Sequence, residues 1–91
     1  MDILDLKDLV TRRLSKEIRS HIVQSIYAAV SRNATTLYVV LYDDVKDDNH
    51  SYGRRFVTMF EDIPKLTVTT HYSYAYFHRF NHLLIYNSTA S

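Results

Sequence analysis

Between residues 66 and 80, LTVTTHYSYAYFHRF, bulky and small side chains alternate, and a period of two predicts a β-strand over 66–78. Leu66, Val68, Tyr72, Tyr74 and Tyr76 fall on one side of that strand, and Thr67, Thr69, His71, Ser73 and Ala75 on the other. The first third of the chain follows another period. Leu6, Val10, Leu14, Ile18, Ile22, Ile26 and Val30 recur at every fourth position, joined by Leu9, Val23 and Tyr27, which predicts helix over 3–31. A strict step of four advances about 40° per repeat on a helix, so the stripe drifts around the cylinder. Two arrangements accommodate the drift. One is a helix over 3–14 capped by Asp2, then a second over 16–31 with Ser15 as N-cap and Glu17 in its first turn; the other is a single long bent helix.

Asn33 and Ala34 end the helical pattern. Thr35–Tyr42, TTLYVVLY, is β-branched and aromatic with apolar groups on both sides, as in an interior strand covered on two faces. The polar stretch 43–51, DDVKDDNHS, reads as a loop. Residues 54–60 read as a strand with Phe56, Thr58 and Phe60 on one side, and 61–65, with Pro64, as a turn. Asn81 then turns the chain into a short fourth strand, Leu83–Tyr86. A helix over 75–85, carried by Tyr76, Phe80, Leu83 and Leu84, is the competing reading of that region. Residues 87–91, NSTAS, read as a frayed end. Helices followed by consecutive strands predict an α+β fold, with an N-terminal helix or helical pair on a three- to four-stranded antiparallel β-meander.

Composition narrows the chemistry. Ninety-one residues, 46% apolar and 23% charged, make one folded domain, and a net charge of +1 carries no global signature of a nucleic-acid or membrane binder. Cysteine is absent, which removes disulfides, thiolate metal sites and thiol nucleophiles and fits a reducing, cytoplasmic compartment. The N-terminus lacks the basic and apolar regions of a signal peptide, and no apolar run approaches the ~20 residues that span a bilayer. With one glycine, Gly53, and one proline, every Gly-rich phosphate loop is excluded. The triplets Asn33-Ala-Thr35, Asn49-His-Ser51 and Asn87-Ser-Thr89 match the glycosylation pattern, but the same residues serve caps and turns, which is the preferred reading.

Several constellations remain. Tyr72, Tyr74 and Tyr76 are either half-buried core or an exposed aromatic platform for a protein or for nucleobases, with Arg54 and Arg55 beside them. Arg12, Lys16 and Arg19 share one helical face, with Arg13 adjacent, a spacing that suits a phosphate backbone or simply a solvated surface. The acidic loop of Asp43, Asp44, Asp47 and Asp48 lacks the spacing, glycine and terminal glutamate of a calcium loop. His78 and His82 have zinc spacing only on a helix. His71, His78, Arg55 and a tyrosine are the set that acid–base cleavage of RNA would require. No cofactor and no metal site is implied.

No motif identifies a family. In size, absence of cysteine and scarcity of glycine and proline, the chain resembles small accessory proteins with which viruses bind and block host factors. The leading expectation is therefore a non-catalytic protein-binding module, an inhibitor or adaptor, using Tyr72, Tyr74, Tyr76, Arg54 and Arg55. A nucleic-acid binder using Arg12, Lys16, Arg19 and the tyrosine strand is the alternative, and a metal-independent RNase-like enzyme the second alternative. Exposed strand edges or helix packing make a homodimer a further expectation.

Overall fold

A computed structural model describes residues 1–43, 52–76 and 78–87. The expected α+β fold is present: an N-terminal helix lies on a four-stranded antiparallel sheet, accompanied by a second, short helix. The elements run α1 (Ile3–Arg19), β1 (Ser25–Val30), β2 (Thr36–Asp43), α2 (Tyr52–Thr58), β3 (Leu66–Ala75) and β4 (His78–Asn87).

α1 starts where Asp2 predicts, with the Asp2 carboxylate accepting from the Leu4 amide at 3.3 Å. It runs through Ser15, which is no N-cap; its hydroxyl instead donates to the Thr11 carbonyl one turn back. The helix stops at Arg19, not at 31. The His21 amide donates to the Ile18 carbonyl and the Ile22 amide to the Glu17 carbonyl, closing a Schellman end in which His21, at φ 64°, takes the left-handed position usually given to glycine. Residues 25–30 then form a strand instead of continuing the helix.

β1 and β2 make a hairpin, paired from Ser25–Tyr42 to Val30–Leu37. Its turn is held by side chains: Asn33 Oδ1 accepts from the hydroxyls of Ser31 and Thr35, at 2.6 and 2.8 Å, and Ala34 takes φ 56°. β3 and β4 make a second hairpin, from Leu66–Asn87 to Ala75–His78, and Tyr76 occupies its turn at φ 53°. Chain order and spatial order differ, because β4 inserts between β2 and β3 to give the sequence β1-β2-β4-β3. The sheet is thus not a plain meander.

Two antiparallel pairings in succession make β2 and β3 run the same way, separated by β4. Same-direction strands cannot be joined by a tight turn and require a crossover, usually helical. α2 lies in that crossover. Residues 54–60, expected as a strand, are therefore the end of α2 and the turn after it. β4 also corrects its expectation twice: it is neither helix over 75–85 nor a short strand at 83–86, but a ten-residue central strand, and Asn81 is a buried member of it rather than a turn.

Both helices lie on the same side of the sheet. α1 supplies Leu6, Val10 and Leu14, one face at intervals of four, and packs on β1 and β2; Phe56 of α2, followed by Phe60, packs toward β3. Beneath them lie Leu37, Val39 and Leu41 of β2 and Leu83 and Ile85 of β4, all essentially inaccessible. Each such side chain contributes about 1.5–3 kcal/mol through burial. Gly53 allows α2 to lie close to β3: a Cβ there would stand 2.8 Å from the Thr70 hydroxyl oxygen. The two helical regions are tied together by Arg13, whose guanidinium donates to both Asp62 oxygens at 2.6 and 2.7 Å and to the Met59 carbonyl at 2.8 Å.

Candidate functional site

Strand periodicity combined with the observed register assigns every sheet residue to one of two faces. On the face away from the helices, three rows cross all four strands: Ser25–Tyr42–Phe80–Ser73, Tyr27–Val40–His82–His71 and Ala29–Tyr38–Leu84–Thr69. Thr36, Tyr86 and Thr67 form a fourth, shorter row, and His78 pairs with Ala75 beside the hairpin turn. β1 contributes three positions, β2 four, β3 five and β4 five. None of the seventeen is Asp, Glu, Lys or Arg, although these make up 23% of the chain. None of the buried core residues comes from this face, and Tyr27 at its edge is 62% exposed.

The aromatic and imidazole groups here hold one another in place. The Tyr38 hydroxyl is 2.7 Å from His82 Nδ1, the Ser73 hydroxyl 2.9 Å from His82 Nε2, and the Tyr42 hydroxyl 2.9 Å from His78 Nδ1. His71 stacks flat on His82, with centroids 4.6 Å apart and planes within 2°. Tyr42 also packs obliquely on Phe80 at 5.4 Å. A neutral imidazole offers one donor and one acceptor, so at His82 one hydroxyl donates to the ring and the other accepts from it. The result is an aromatic surface free of Asp, Glu, Lys and Arg, on which the tyrosine, serine and histidine groups at 38, 42, 73, 78 and 82 pair with one another.

Burial first, and the neighbouring His71 second, hold the His82 pKa below its ordinary value of 6.5. The unfolded chain then takes up a proton before the folded protein does. The resulting stability is present above the unfolded value and is lost as pH falls through the lower folded value. Urea midpoints measured at pH 7.5 and pH 5 should therefore fall further for the wild type than for His82→Gln; equal falls in both would reject this role for the residue.

The expected site residues lie elsewhere. Tyr72 and Tyr74 sit on the helix side of the sheet, yet they are 63% and 53% exposed, on an edge strand close to its turn. They touch edge-on, with centroids 5.6 Å apart. Tyr76, in the turn, is 91% exposed. The choice between core and surface is thus resolved as surface, but on the covered side and not on the open one. Arg54 and Arg55 belong to α2, not to a strand; Arg54 is exposed, and Arg55 reaches Glu17 of α1 at 3.0 Å. The set of His71, His78 and Arg55 does not assemble, since the histidines face away from the helices and Arg55 lies among them.

Arg12, Lys16 and Arg19 are exposed along α1. α1 packs on β1 and β2 on the covered side, so these cations share a surface neither with the open-face aromatics nor with Tyr72 and Tyr74 at the β3 edge. Asp43 belongs to β2 and not to a loop. It is buried with Arg79 and Asn81, accepting from Arg79 Nε at 3.3 Å and from the Asn81 amide. Burial opposes the charge on Arg79, but the hydrogen bond and attraction from Asp43 outweigh it and hold the guanidinium above its usual range. The guanidinium also lies 5.2 Å from the centre of the Tyr52 ring. Asp44, Asp47 and Asp48 lie outside the described residues. Among the described residues no group of three His, Asp or Glu side chains is placed to hold a metal, and no helix is long and apolar enough to cross a membrane.

The open face escapes sequence reading because its members are scattered over four strands of uncertain pairing. Its signal is nevertheless present. In 36–43 and again in 78–87, one of the two alternating sets carries no Asp, Glu, Lys or Arg. Compared with protein-family models, with curated proteins and with solved structures, the chain matches none of them.

Proposed function

We propose that this protein is a non-catalytic protein-binding module, an adaptor or inhibitor that occupies its partner sterically through the open face of its sheet. The observation that carries this reading is the absence of Asp, Glu, Lys and Arg from seventeen contiguous positions that include Tyr27, Tyr38, Tyr42, Phe80 and Tyr86. Interface centres are depleted in charge and enriched in aromatic residues, whose few rotatable bonds limit the entropy lost on docking. A polynucleotide would require cations beside the stacking rings to neutralise its phosphates, and Arg12, Lys16 and Arg19 are on the other side of the molecule. The lack of cysteine fits action in the cytoplasm. Tyr72, Tyr74 and Tyr76, with Arg54, offer a second contact patch at the hairpin end.

Capture from a lysate of the source cells tests the assignment with three baits: wild type, Tyr27→Lys/Val40→Lys, and Tyr72→Ala/Tyr74→Ala/Tyr76→Ala. The expected result is a protein retained by the wild type in 0.1 and 0.5 M salt and lost by the Tyr27/Val40 variant. Recovery of RNA or DNA that salt releases would replace the reading with phosphate binding along α1. Loss only with the triple alanine variant would move the site to the hairpin end.

A further inference from the structure

We infer that the open face docks a second copy of this chain, sheet against sheet, across a two-fold axis; the inference rests on the reading of that face as a protein-docking surface and names its occupant. In an isologous dimer the same patch meets itself, and residues near the axis face their own copies. Any charge there meets a like charge, which costs several kcal/mol. A face with no Asp, Glu, Lys or Arg position meets its own copy without that penalty from any of them. The property is self-complementary, and it holds for all four strands.

The size of the face agrees. Each position occupies about 4.8 Å across strands by about 6.7 Å along them, so seventeen positions span about 550 Å² before side-chain relief is counted. A specific interface needs roughly 500 Å² from each partner. Two sheets stacked face to face stand about 10 Å apart with interdigitating side chains, and the projecting rings of Tyr38, Tyr42, Phe80 and Tyr86 have the length to fill that gap. The row Tyr27–Val40–His82–His71 crosses the middle of the patch. Flanking it, Tyr38 and Leu84 on one side and Tyr42 and Phe80 on the other supply apolar contact.

Sedimentation equilibrium of the full chain tests this directly. The wild type at ~100 µM should show twice the 10.7 kDa chain mass, with a dissociation constant that hardly changes between 0.1 and 1 M salt because no ion pair contributes. Val40→Lys places two ammonium groups in the centre of the dimer and should weaken it by about 100-fold or more. Tyr27→Lys, at an exposed edge position that folding does not require, should weaken it by about 10-fold with an unchanged circular dichroism spectrum. Leu4→Lys, exposed on α1 on the other side of the sheet, should leave the constant unaltered. A wild type that stays monomeric overturns the inference while leaving heterologous docking intact, provided the lysate partner is still lost by the Tyr27/Val40 variant. A dimer indifferent to Val40→Lys and Tyr27→Lys also overturns it, and assigns association to the exposed edge of β3.

Discussion

Asp43→Ala is expected to lower the stability of the folded protein by about 3–5 kcal/mol, a large part of the 5–15 kcal/mol that holds a domain folded. Asp43 and Arg79 are 1% and 5% exposed, and Asn81, which also donates to the same carboxylate, is equally buried. Removing the carboxylate leaves a buried guanidinium without its counter-ion and a buried amide without its acceptor, and their desolvation is no longer offset by the charge of Asp43. The pair does not owe its presence to strength. Replacing Asp43, Arg79 and Asn81 together by leucine should recover part of the loss, because an apolar set of similar volume leaves no charge buried without its counter-ion. Urea unfolding of the single and triple variants measures both effects. A loss below ~1 kcal/mol in Asp43→Ala would mean that the charges are solvated and the cluster is not a closed interior pair.

Phe56→Ala is the second large effect, expected at about 3–5 kcal/mol from lost transfer energy and the cavity left behind. Phe56 is the one buried residue within α2, and with Phe60 it supplies the aromatic bulk of the core above β3 and β4. The crossover helix is only seven residues long, too short to be stable on its own, so its helicity depends on this contact. The loss should accordingly appear twice: as a lower urea midpoint, and as faster hydrogen exchange of the 52–58 amides than of the central strands β2 and β4. Uniform exchange across the protein after the substitution would show that α2 is anchored by other contacts.

How far the fold was legible depends on one arithmetic coincidence. A step of four residues is close to one helical turn and is also two strand periods. Ile22, Ile26 and Val30 extend the α1 stripe in the sequence, yet Ile26, Ala28 and Val30 are one face of β1. Phe56 and Phe60 stand two strand periods apart, yet lie on and just beyond a helix. Tyr76, Phe80 and Leu84 have helical spacing, yet Phe80 and Leu84 are two open-face positions of β4. Where other signals accompanied the spacing the reading was secure. Asp2 marked the start of α1, and the alternation of 66–75, broken only around Thr70, marked β3. The sequence also separates the tyrosines of β3 from His71 and Ser73. It does not say that β3 lies at the edge of the sheet, where its tyrosines are left exposed. The open face depends on cross-strand neighbours, which no one-dimensional pattern contains.

The insertion of β4 between β2 and β3 bears on the order of events during synthesis. While β4 is still within the ribosome, β2 has only β1 as a partner, and β3 has none. The row of hydrogen bonds that makes one sheet out of two hairpins awaits residues 78–87. Helix α1 and the first hairpin can form early, being local, but the apolar side of β2 stays half-covered until then. The protein should therefore commit to its native state late, nearly all at once, and a ribosome-bound chain ending before residue 78 should still be degraded by protease when the finished one resists it.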